Sequence, residues 1–165
     1  MRIFDTHCHL DDAKFDEDRE EAYRRMMAAE VKRCVCVGSD IPSSRRCMAL
    51  AASHPGVYAA AGVHPHEAKD APPDYLDTIR NMLSQPRVQA LGEIGLDYYY
   101  DLSPRDVQMR VMAEQVDLAV ELGKPVIFHI RDAHGDMVDF FGAGGNCPKA
   151  SSIVFPAARK SPAST

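Results

Sequence analysis

Five short apolar runs punctuate this chain, and the stretches between them repeat their apolar residues at helical spacing. The runs cover residues 2–6, 32–37, 57–63, 88–94 and 126–130. Runs of this length, bounded by Gly or Pro and rich in β-branched residues, read as strands. The first stretch between them, 15–30, reads as an amphipathic helix. Phe15, Ala22, Tyr23, Met26 and Met27 fall on one stripe, and Asp16, Glu17, Arg19, Glu20 and Arg24 face water. A second helix is predicted over 43–53, ending before the breaker Pro55-Gly56. A third starts at Pro72-Pro73 and carries Leu76, Ile79 and Leu83 on its buried side. The fourth has the clearest punctuation. Ser103 is placed to cap it, Pro104 suits its first position, Asp106 complements the positive end, and Gly123 and Pro125 close it.

Strand and helix in strict alternation predict a parallel sheet with helical crossovers, hence an α/β fold. Five such units fit residues 1–141. From residue 142 the character changes. Gly142-Ala143-Gly144-Gly145 breaks any helix, Ser, Ala and Pro dominate to Thr165, and only Ile153-Val154-Phe155 could make a short strand. Residues 142–165 therefore read as an irregular tail unrelated to the sheet. They are either a disordered segment or the result of a frameshift or truncation.

Composition narrows the class without naming a chemistry. At 165 residues, 45% hydrophobic and 26% charged, the chain is one globular domain with no run long enough to span a bilayer. The N-terminus shows no signal-peptide pattern and the five cysteines are irregularly placed, which predicts a reducing, cytoplasmic setting. Cys34 and Cys36 alternate with Val35 and Val37 and read as small apolar strand residues. A net charge of −5 argues against a protein that grips nucleic acid mainly through a basic surface. It leaves room for one in which bound cations meet a phosphate.

The chemistry gathers where the apolar runs end. In Phe4-Asp5-Thr6-His7-Cys8-His9 the two histidines project to one face of a strand, and Cys8 projects to the other. Glu93 sits between Gly92 and Gly95 at the end of the fourth run. A carboxylate there is costly unless paired or metal-bound. His129 ends the fifth run, with Arg131 on the same face. Three imidazoles and a carboxylate make a nitrogen and oxygen donor set for Zn²⁺, Mn²⁺ or a related ion, and a central carboxylate can bridge two ions. Tyr98, Tyr99 and Tyr100 read as packing aromatics, with base stacking as the alternative. His54 reads as a helix-end residue, and His134 as an exposed polar residue at a helix start.

Asp5-Thr6-His7-Cys8-His9-Leu10, Gly62-Val63-His64-Pro65-His66, Gly92-Glu93-Ile94-Gly95-Leu96-Asp97-Tyr98-Tyr99 and His129-Ile130-Arg131-Asp132-Ala133 together resemble the TatD family of metal-dependent hydrolases. The resemblance covers about residues 1–140. It implies a TIM barrel, here as its first five βα units, and deoxyribonuclease activity of exonuclease type on single-stranded or frayed DNA ends. It also implies that His7 and His9 bind one divalent ion (Mg, Mn or Zn), that Glu93 bridges, and that His129 binds a second. His64 then lies near the substrate phosphate, and Asp97 and Arg131 line the same pocket, with Glu93, His64 and Arg131 carrying catalysis.

The family's later metal-binding histidine and aspartate have no counterpart here. The first ion keeps His7, His9 and Glu93, while the second keeps only Glu93 and His129. Five strands of a sheet meant to close leave two unpaired edges, which predicts a marginal partial barrel prone to self-association. Activity is thus expected to be impaired. The alternatives are a non-catalytic fragment with residual metal binding, or an ester hydrolase acting on aminoacyl-tRNA.

Overall fold

A strand can return beside its predecessor in the same direction only through a crossover, so five alternating units commit the backbone to one parallel sheet. The structure, a computed structural model, describes residues 2–142. Its strands are β1 (Ile3–Cys8), β2 (Val31–Val37), β3 (Val57–Ala61), β4 (Val88–Asp97) and β5 (Val126–Arg131). They form a single sheet in the order β1-β2-β3-β4-β5, every pair parallel. The helices are α1 (Arg19–Ala28), α2 (Ile41–Ser53), α3 (Tyr75–Leu83), α4 (Arg105–Leu122) and α5 (His134–Gly142), with short 3₁₀ turns at Ala13–Phe15 and Pro65–Asp70. The expected irregular tail, apart from Gly142, and its short strand at 153–155 lie outside the described residues.

The two faces of the sheet differ in what covers them. Toward the helices point Cys34, Cys36, Val57, Ala59, Leu91, Ile94, Leu96, Val126 and Phe128, buried against residues such as Cys47, Ile79, Leu83, Val111, Met112 and Val116. Burial of each large side chain among these contributes roughly 1.5–3 kcal/mol. On the opposite face a smaller cluster of Val35, Val37, Ala60, Ala90 and Ile127 packs together with Tyr58. Small and β-branched residues on the concave side and helices on the convex side are the layering of a barrel wall. The molecule is a curled half-barrel of five βα units.

Several element ends depart from expectation, each for a local reason. The first helix is two pieces: Asp12 accepts from the backbone N–H of Lys14 and closes a separate turn, and α1 begins only at Arg19. Strand β1 runs two residues further than predicted, which takes His7 and Cys8 into the sheet. Helix α2 begins at Ile41 because Asp40 caps the N–H of Ser43 at 2.6 Å. Ser103 does not cap α4. Pro104 is extended, at φ −53° and ψ 138°, and itself stands at the N-cap, so the helix starts at Arg105. The Ser103 hydroxyl instead donates to the carbonyl of His66 at 2.9 Å and accepts from the N–H of Lys69 at 3.2 Å. His54 caps the C-terminal end of α2 as predicted, with its ring also within 2.9 Å of Glu20. His134 is exposed at the start of α5. No helix among the described residues is long and apolar enough to cross a membrane.

Candidate metal centre and active site

The C-terminal ends of β1, β3, β4 and β5 open into one cleft of about 720 Å³. It is lined by His7, His9, His64, His66, Glu93, Asp97, His129 and Arg131, together with Asp11, Ser43 and Arg46. All seven residues predicted for the site, His7, His9, His64, Glu93, Asp97, His129 and Arg131, therefore meet in one place.

Glu93 is the hub. Only 4% of it is exposed. Its Oε2 lies 3.2 Å from His7 Nε2 and 3.9 Å from His9 Nε2, and its Oε1 lies 3.0 Å from His129 Nδ1. Burial by itself would raise its pKa. Hydrogen bonds with His129 and His7 outweigh that effect and hold the carboxyl well below the ordinary carboxylate range. An ionised, nearly buried carboxylate among imidazoles is a site prepared for positive charge.

His7 and His9 share a face as their spacing predicts, with their Nε2 atoms 3.1 Å apart. His9 Nδ1 lies 3.0 Å from the carbonyl of Val37. A carbonyl only accepts, so Nδ1 carries the hydrogen and Nε2 presents a lone pair. A carbonyl fixing the far ring nitrogen in this way is the usual support for a ligating imidazole. One donor atom each from His7, His9 and Glu93 falls within 4.8 Å of the others, and so does one each from His64, His66 and His129. Two imidazoles with a carboxylate, and three imidazoles, are donor sets that fit Zn²⁺ or Mn²⁺.

His129 stands between two carboxylates, with Nδ1 on Glu93 and Nε2 2.9 Å from Asp97 Oδ2. Burial disfavours its protonation, but Glu93 and Asp97 reverse that and lift its pKa above the ordinary histidine value. Asp97 is fully buried. Its Oδ2 also accepts from His66 Nε2 at 2.8 Å, and its Oδ1 accepts the N–H groups of Tyr99 and Tyr100 at 3.0 and 2.8 Å. His64 is the opposite case. Burial, with His129 nearby, pushes its pKa down to about 3, so the ring is neutral at physiological pH. Its Nδ1 accepts from the N–H of His66 at 3.1 Å, which leaves the ring hydrogen on Nε2.

Sequence reasoning assigned no role to four of these groups. His66 repeats the His-x-His spacing of β1 within His64-Pro65-His66, and that repeat was its signal. Asp11 is buried, accepts from Ser43 Oγ at 2.5 Å and lies 3.4 Å from Arg46 Nη2. The only sequence hint of that cluster was an acidic residue two positions past the histidine pair. The tyrosine run divides. Tyr98 packs beside the core, as predicted, and its hydroxyl donates to Asp136 at 2.5 Å. Tyr99 and Tyr100 do not pack inward; they stay exposed.

Residues 4–154 match the protein family described as TatD related DNase. Over 136 residues the chain is 42% identical to a Bacillus subtilis protein named as the uncharacterized metal-dependent hydrolase YabD, covering 82% of this chain and 53% of that protein. Over 132 residues it is 36% identical to the 3'-5' ssDNA/RNA exonuclease TatD of Salmonella typhimurium, covering 80% of this chain and 51% of that one. The chain thus spans about half the length of the curated relatives it matches. Among solved structures, the TatD homologue YJJV of Escherichia coli superposes with a TM-score of 0.80 at 31% identity, over 86% of this chain and 56% of that one. A TatD family hydrolase of Entamoeba histolytica, at 19% identity and a TM-score of 0.77, shares the fold. With the matched region taking in all five strands and every ligand candidate in the cleft, the chain belongs to the TatD family.

Proposed function

We propose that this cleft is a divalent-metal hydrolase site that cleaves phosphodiester bonds at the ends of single-stranded or frayed DNA. The observation that carries the reading is the convergence of three imidazoles on the two oxygens of Glu93. In this proposal His7, His9 and Glu93 would hold one ion of Mg, Mn or Zn, and the shared Glu93 with His129 would hold a second, with His66 beside them. Bound divalent ions polarise phosphoryl oxygens and make a water acidic enough to attack. His64, neutral with its hydrogen on Nε2, donates to a phosphoryl oxygen, and the Arg131 guanidinium meets the developing charge at the cleft wall. Asp97 holds His66 and His129 in register. Relatives named as 3'-5' ssDNA/RNA exonucleases support a single-stranded substrate and extend it to RNA. The unpaired edges of β1 and β5 are proposed as surfaces of self-association. A reducing, cytoplasmic setting fits the burial of Cys34, Cys36 and Cys47 as core residues.

Titration calorimetry with Mn²⁺ and hydrolysis of an end-labelled single-stranded oligonucleotide test this together. The wild-type chain is expected to bind the ion and shorten the oligonucleotide, and Glu93→Ala to lose both. Equal rates for the two proteins would refute the assignment. A second reading, a metal binder without turnover, is favoured by the double engagement of His129, because a second ion has to displace a carboxylate contact. It predicts one bound ion and no hydrolysis.

A further inference from the structure

The loop after β4 is tied to Asp97 by its own backbone. Asp97 Oδ1 accepts both the Tyr99 and Tyr100 N–H groups, which holds the backbone that carries the two rings in place. Beyond them Asp101 takes a left-handed conformation at φ 52° and pairs with Arg105, which fixes the far side of the loop. The rings are left 46% and 54% exposed, edge to face, with centroids 4.9 Å apart. The Arg131 guanidinium lies 4.0 Å from the Tyr99 centroid and 4.6 Å from that of Tyr100, while also lining the cleft. Tyr100 meets His66 edge-on at 5.5 Å. Rings this exposed beside the cleft keep apolar area that a stacked partner would desolvate.

We propose that Tyr99, Tyr100 and the Arg131 guanidinium form a nucleobase-stacking platform that seats the terminal bases of a single-stranded nucleic acid beside the hydrolytic centre. The inference rests on the proposed nuclease reading and says how that substrate is held. Charge favours it. With a net charge of −5 the chain has no excess of cations with which to grip a phosphate backbone along its length. Stacking, which every base can make, then supplies affinity for a single strand beside the contacts of the bound ions and Arg131 to phosphate. A guanidinium stacked on aromatic rings offers a flat cationic face to a base and hydrogen-bond donors to the neighbouring phosphate.

The test is fluorescence anisotropy on the full chain in Mn²⁺. One probe is a labelled single-stranded oligothymidylate with phosphorothioate linkages that resist cleavage, and the other is a fully abasic oligomer of equal length and charge. The Tyr99→Ala/Tyr100→Ala variant is expected to bind the oligothymidylate about tenfold more weakly. Its binding of the abasic oligomer is expected to stay within about twofold of wild type, since stacking needs a base. The Tyr99→Phe/Tyr100→Phe variant keeps the rings and should retain wild-type binding. Equal loss on both probes, no loss on either, failure of the phenylalanine variant to rescue, or no binding by the wild-type chain would each overturn the platform. Hydrolysis is scored separately. A base-dependent affinity without turnover would retain the platform and remove the nuclease reading, and turnover without base dependence would do the reverse.

Discussion

A methyl group built onto Gly95 would sit 2.0 Å from the carbonyl oxygen of His129, on a backbone at φ +143°. The absence of a side chain there is what lets β4 and β5 approach closely enough for Glu93 and His129 to meet. Gly95→Ala is expected to destabilise the chain by about 2–5 kcal/mol through strain and overlap, measured by urea denaturation. The same substitution should weaken Mn²⁺ binding more than an alanine at Gly135, where an added Cβ meets nothing within 4 Å. Equal effects at the two glycines would show that close strand approach does not support the site. At this scale the sequence was most readable where chemistry depends on local spacing. His7 and His9 share a face because a strand alternates with period two. Asp11 could not be recognised in the same way, because what makes it matter is Ser43 and Arg46, more than thirty residues away on another element.

At the scale of elements, helix α4 does more than cover the sheet. Two fully buried glutamines on its inner face reach the ends of neighbouring strands. Gln108 accepts from the N–H of Asp97 at 2.8 Å and donates to its carbonyl at 3.2 Å. Gln115 does the same for Val63, at 2.8 and 3.1 Å, one residue before His64. Replacing either with leucine keeps much of the volume and strands the buried backbone groups it holds, at a cost of about 2–4 kcal/mol. Thermal melting should register both losses, and Mn²⁺ affinity should fall further for Gln108→Leu, because Asp97 holds both His66 and His129. An unchanged melting point for both variants would count against this role. Alternation of strand and helix, with the breakers Gly123 and Pro125, makes α4 legible. Polar residues on the buried side break a hydrophobic stripe in sequence, so nothing marked the two glutamines as structural. Ser103 suits a cap by residue type, but Pro104 stands at the N-cap and the Ser103 hydroxyl holds the 3₁₀ turn after β3, a partner distant in sequence.

For the whole molecule, the exposed edges matter most. Within the described residues β1 and β5 each pair on one side only. Ile3 and Phe4 on β1 are 41% and 51% exposed, so apolar side chains accompany unpaired backbone groups. Such an edge is a template for pairing with another chain. Sedimentation is expected to show association that rises with protein concentration, and Phe4→Lys is expected to reduce it by placing a charge on the edge. A wild-type chain that stays monomeric at every concentration would contradict the expectation. The five-unit architecture followed from the order of apolar runs alone, whereas the curl that buries Val37, Ala60 and Ile127 depends on side-chain volumes packed across the sheet.

The two glutamine clasps also have a kinetic consequence. Because a single helix holds the backbone at Val63 and at Asp97, those two amide protons cannot open to solvent independently of it. Deuterium should enter both at the rate at which α4 itself unlatches, well behind the N–H groups of the exposed turns. The floor beneath the histidines would then loosen as one unit.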